Sequence, residues 1–156
     1  MNIPSRAVVS GTFAAIAAAG ALAFLAKREG QTPSQPLNAT SHWLHGDQAA
    51  AVGSTDLKHT GVGFATHHAA AVMWGVLFEM LRERDKSASL AHVTRDAAIT
   101  SVVAAAIDYT ITPHRFTPGW ELVVSKQSMA VAYAAMAGGF VAAEYVLPNR
   151  GEFRGS

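Results

Sequence analysis

Residues 7–26 read AVVSGTFAAIAAAGALAFLA, an uncharged stretch closed by Lys27-Arg28. At about 1.5 Å per residue, an α-helix of that length crosses the roughly 30 Å hydrocarbon core of a bilayer. A secretory signal would look similar, with Arg6 as its basic start and Ala21-Leu22-Ala23 as a small-residue cleavage site. Its apolar region, however, normally runs only about 7–15 residues. The stretch is therefore expected to remain as a membrane span.

Working outward, three further apolar stretches fall at about 60–81, 97–112 and 128–147. They are rich in Ala, so core helices of a soluble bundle are the competing reading. A soluble helix should carry a polar face. Ala97 to Ile107 shows none, and Met129 to Ala143 offers only the tip of Tyr133. The expected fold is all-α and forms a single membrane domain over residues 1–156. It is a four-span transmembrane bundle with a polar loop of short interfacial helices between the first two spans. In that loop, Thr32 to Pro36 reads as a turn. Ser41 to Leu44 reads as a short helix stopped by Gly46, and Asp47 opens another stopped by Gly53. Trp43 is expected at headgroup depth. Ser54-Thr55-Asp56 is a capping cluster for the second span, and Arg82 to Lys86 is its polar end. Pro113 and Pro148 end the third and fourth spans. Thr117-Pro118 reads as a helix start, so 118–127 is either an interfacial helix carrying Trp120 or an extension of the fourth span.

Composition agrees. The chain is 50% hydrophobic and 15% charged, against about 25% charged in ordinary soluble domains. Mean hydropathy is only +0.19 because Ala, Gly and Val dominate the apolar stretches. A net charge of +1 with scattered bases excludes nucleic acid as a partner, since phosphate binding needs concentrated Lys and Arg. The absence of cysteine excludes disulfides, thiolate metal sites and a cysteine nucleophile. There is no Gly-x-Ser-x-Gly elbow and no Gly-rich phosphate loop, so a non-enzymatic role is expected. Gly11, Gly20, Gly61, Gly63, Gly75, Gly138 and Gly139 permit close helix packing in lipid. Beyond the bilayer, a homo-oligomer or larger membrane complex is a candidate partner.

Four spans put both termini on one side. Arg6, Arg82, Arg84, Lys86, Arg95, Arg150 and Arg154 then lie together, opposite Lys27, Arg28, Lys58, Arg115 and Lys126. The positive-inside rule favours cytoplasmic termini. The same threading gathers His42, His45, His59, His67, His68, His114 and Asp108 toward one face, leaving His92 on the other. By helix rise, His67 lies ~10 Å and Asp108 ~6 Å into the bilayer, where ionisable groups mark function. His59, Gly63 and His67 form an i, i+4, i+8 row, and His68 shares a face with Ala71, Gly75 and Glu79. Neutral imidazole suits a transition metal such as Zn or Cu. Proton or ion handling and a bis-histidine haem are further readings. In the bland alternative these side chains hydrogen-bond loops and cap helix ends. None of the spacings matches a zinc signature such as H-E-x-x-H. In the segment from Asp108 to Glu121, two Thr-Pro steps enclose His114-Arg115, a stiff turn that would hold Arg115 against Asp108 or Glu121. Glu79 and Glu144 fall near the opposite interface, where Arg82 and Arg150 are their expected partners in exposed pairs of little energetic weight.

Asn38 to Leu44, His59-Thr60 with His67-His68, and Asp108-Tyr109 followed by Thr117-Pro118-Gly119-x-Glu121 resemble stretches of small bacterial membrane proteins of unknown function, often labelled sodium:proline symporters. The resemblance covers about residues 37–147. It implies a bacterial inner-membrane location. A chain of this length cannot build a symporter's many spans, so transport would require an oligomer. The expectation is a His/Asp cluster that binds a metal or ion. The rivals are a structural or accessory membrane protein and a small oligomeric transporter.

Overall fold

Asn2 Oδ1 accepts the Ser5 N–H at 3.0 Å and Pro4 sits in the first turn, so helix α1 starts ahead of the apolar stretch and runs Ile3–Arg28. The computed structural model describes residues 1–85 and 89–148, and every regular element among them is helical. Two short helices follow in the first loop, α2 Gln35–Thr40 and α3 His42–His45, then a 3-10 turn Asp47–Ala51. The expected Thr32–Pro36 turn is present at Pro33 and Ser34, and its last residues, Gln35 and Pro36, open α2. Gly46, at φ 76°, stops α3 as expected.

Asp56 caps the next segment, accepting the His59 N–H at 2.6 Å. A π turn Leu57–Gly61 leads into α4 Val62–Arg84. Helix α5 spans Leu90–Thr110 and α6 spans Lys126–Glu144. Thr117-Pro118 does not start α6. Gly119 adopts φ 78° beside the Ala39 carbonyl, and only a 3-10 turn Trp120–Leu122 follows. Ser125 is the cap, its hydroxyl accepting the Ser128 N–H.

Three helical segments, Ile3–Arg28, Leu57–Arg84 and Leu90–Thr110, are long and apolar enough to cross a membrane. Burial runs the opposite way from that of a soluble bundle. From Val62 to Met80 every exposed residue of α4 is apolar, and the same holds for α1 from Ala7 to Ala26 and α5 from Ala97 to Ala106. Arg6, Glu79, Arg82, Asp96 and Thr100 are buried instead.

Helix α1 packs mainly on α6 and α4, and α5 closes against α6 and α4. Backbones touch where glycine allows it. A Cβ on Gly11 would stand 2.5 Å from Val72 Cα, and one on Gly139 would stand 2.6 Å from Ala14 Cα. Such close backbone contact adds dispersion attraction between the helices. Phe78 and Phe140 stack between the helices at 4.9 Å.

Charges cross-link the end of the bundle that holds the N-terminus. Arg6 Nε donates to Glu79 Oε2 at 3.0 Å, and its Nη atoms donate to the Pro148 carbonyl at 2.9 Å and to Glu144 at 3.3 Å. Arg82 donates to Asp96 at 3.1 Å, and Arg95 binds the other Asp96 oxygen and Asp85, both at 2.8 Å. The expected Glu144–Arg150 pair falls outside the described residues, while Glu79 and Arg82, expected in exposed pairs, are thus buried and joined to Arg6 and Asp96. Their partners lie 73 and 14 residues apart in the chain, which local spacing does not reveal. Lys86, Arg150 and Arg154 lie outside the described residues.

Candidate functional site

Three side-chain groups occupy the opposite end. Asn38, fully buried, ties the first loop together: its amide donates to the Val52 and Ser54 carbonyls, and its oxygen accepts from Thr60 Oγ1. That brace places the strip beginning at Asp47 beside α3.

The first group is His42, Asp47 and His114, whose potential ligand atoms all lie within 4.8 Å of one another. His42 is buried, and its ring meets His114 edge-on at 5.7 Å. Its Nε2 lies 3.0 Å from the Thr117 carbonyl, which can only accept, so Nε2 carries the proton. In the neutral ring Nδ1 is then an acceptor, yet it faces Asp47 Oδ1 at 3.1 Å. Two acceptors at that separation need a cation between them, either the imidazolium proton or a metal ion. Asp47 was not among the residues expected at the site. Its signal is the helix-stopping Gly46 at φ 76°, which turns the chain back so that residue 47 meets residue 42.

The second group is His45 and His59, with ring centroids 5.0 Å apart. His45 Nε2 donates to the Lys58 carbonyl at 3.0 Å, and His59 Nδ1 pairs with Asp56 at 3.0 Å. Hydrogen bonds from His59, the backbone one first, hold the Asp56 carboxyl below its usual pKa. The π turn Leu57–Gly61 breaks the His59–Gly63–His67 row by adding a residue to the helical repeat.

The third group lines a cavity of about 300 Å³ between α4, α5, α6 and the loops. His67 is buried on its wall, with Nε2 donating to the Ala15 carbonyl at 3.0 Å and its ring against Trp120 at 5.7 Å. It is His67 that lies on the buried row with Ala71, Gly75 and Phe78. His68 is only part-buried and reaches α1, where Thr12 Oγ1 donates to the Val8 carbonyl and so accepts from His68 Nε2 at 2.8 Å. Asp108 accepts from Tyr133 at 2.7 Å. Arg115, expected against Asp108 or Glu121, donates instead to the Trp43 carbonyl at 3.0 Å. Trp43 donates its indole N–H to Thr66, and Trp120 is buried. Both tryptophans belong to the cavity wall.

The seven residues gathered by topology therefore divide among separate environments. Among the described residues, His42, Asp47 and His114 form the group with metal-ligand spacing. No family model, curated protein or solved structure matches the chain.

Proposed function

We propose that the chain is a four-span bacterial inner-membrane protein with cytoplasmic termini, binding a divalent transition metal such as Zn or Cu at one face through His42, Asp47 and His114. Helix α6, Lys126–Glu144, is the fourth span; its exposed residues from Ala130 to Ala142 are all apolar. The paired acceptors at His42 Nδ1 and Asp47 Oδ1 carry the metal reading, because a divalent ion relieves their repulsion and takes His114 as a third ligand. Two imidazoles and a carboxylate suit Zn or Cu, and three protein ligands leave a position open for water or another donor. The Thr117 carbonyl fixes the His42 tautomer from behind, as outer partners of metal-bound histidines do.

Zinc titrated into protein purified without a nickel column should bind at one equivalent, with His42→Ala or His114→Ala removing that equivalent and helicity unchanged. Binding should weaken on acidification, because protons compete with the metal for its ligand atoms. No bound zinc or copper in the folded wild type overturns the metal reading and leaves a structural or accessory role. The chain has no cysteine, so single-cysteine labelling tests the threading. Cysteines at Ser54 and Lys126 should label from the periplasm and one at Arg84 from the cytoplasm. Labelling of Ser54 and Lys126 from opposite compartments refutes four spans.

A further inference from the structure

We propose that the cavity between α4, α5 and α6 binds a lipophilic organic cation, an aryl- or alkylammonium, which enters from the lipid side. The proposal is independent of the metal site.

The wall combines aromatic surface with a carboxylate. All three tryptophans of the chain, Trp43, Trp74 and Trp120, line it together with Tyr133 and Asp108. Aromatic rings attract ammonium groups through their negative faces, and the attraction strengthens away from water. Asp108 supplies the counter-charge. Tyr133 donates to its Oδ2 at 2.7 Å, and its other oxygen accepts no hydrogen bond among the described residues. One Glu121 oxygen accepts from Thr117, and the Tyr109 hydroxyl interacts with Glu121 as well. Among the described residues no Lys or Arg lines the cavity. A cationic guest compensates this negative charge; a neutral or anionic one leaves it uncompensated.

The route of entry is visible as well. Asp108, Ala70, Trp74 and Phe116 are shared with a second depression of about 700 Å³ that opens between α4 and α5. Its outer walls include Met73, Val76, Met80 and Ile107, so the opening is apolar and faces where lipid would lie. A guest with an apolar tail and an ammonium head matches both walls.

Full-length protein in detergent micelles is titrated with benzyltrimethylammonium and with neopentylbenzene, its neutral isostere carrying carbon in place of nitrogen, while tryptophan fluorescence is followed. The expected result is a saturable change with the ammonium and binding of the isostere weaker by roughly tenfold or more. Asp108→Asn should weaken the ammonium by about the same factor with an unchanged circular dichroism spectrum. If that variant fails to fold, the isostere comparison on the wild type still decides. Equal binding of the two compounds, a folded Asp108→Asn with undiminished affinity, or no saturable response overturns the proposal.

Discussion

Replacing Asn38 by Asp tests how the first loop is held. The change is isosteric, but it turns the amide that donates to Val52 O at 2.6 Å and Ser54 O at 2.9 Å into an oxygen facing two oxygens, at a fully buried position. A protonated Asp keeps one donor, so the variant loses about one hydrogen bond, worth about 1 kcal/mol. Holding it protonated at pH 7, against an ordinary value near 3.9, costs up to about 4 kcal/mol more at 1.36 kcal/mol per unit. The charged form instead pays for unpaired burial. The variant should therefore be less stable than wild type by about 3–5 kcal/mol at pH 7 and by only about 1 kcal/mol near pH 4. The sign follows from linkage. The folded pKa lies above the unfolded one, so the pH-dependent part of the deficit is absent below the unfolded pKa and grows as pH rises toward the folded one. Thermal unfolding in detergent, with wild type and Asn38→Ala at each pH, measures it; the Ala variant loses all three side-chain bonds but shows no pH-dependent gap. An equal deficit at pH 4 and pH 7 would show that the amide does not face the two carbonyls. Because the same brace positions Asp47, zinc binding should weaken along with stability.

The other predictions concern helix packing, buried charge and one exposed carboxylate. Gly11→Leu drives a side chain into the α4 backbone 2.5 Å away, which should cost about 1–3 kcal/mol or more, whereas Gly20→Leu, with nothing within 4 Å, should be tolerated; unfolding in detergent compares them. Arg6→Met removes a cation shared by Glu79, Glu144 and the Pro148 carbonyl and should destabilise by about 3–5 kcal/mol, as breaking a buried ion pair does. Glu29 accepts from Ser125 N–H, Ser125 Oγ and Ser128 Oγ, chiefly the last, and these bonds lower its pKa from 4.5. Its contribution is present above pH 4.5 and lost as pH falls through the lower folded value. Wild type should therefore lose more stability on acidification than Glu29→Gln.

Part of the site was legible and part was not. Gly46 marked its turn because a positive φ at a helix stop leaves a local signature, whereas the segment opened by Asp47 ends at Ala51, before the expected stop at Gly53. Asp56 and Ser125 are local caps of the same kind, although Thr117-Pro118 misled because Gly119 folds back on Ala39. His42 and His114 were both candidates, but their meeting depends on two loops 72 residues apart in number closing over the same bundle end. Asp47 escaped notice as a ligand because a single exposed Asp carries no periodic signal.

Sequence alone determined that helices would form and that several would be apolar all round, since propensity and hydropathy depend on neighbours in the chain. It also placed most histidines on segments that meet at one end of the helical bundle. Only the tertiary structure decided which of them meet, that His67 turns to α1 while His42 turns to Asp47, and that Arg6 and Glu79 are buried together. A side chain's partner depends on helix rotation and on backbone approach at positions such as Gly11 and Gly139. Those are set by packing between segments far apart in the chain.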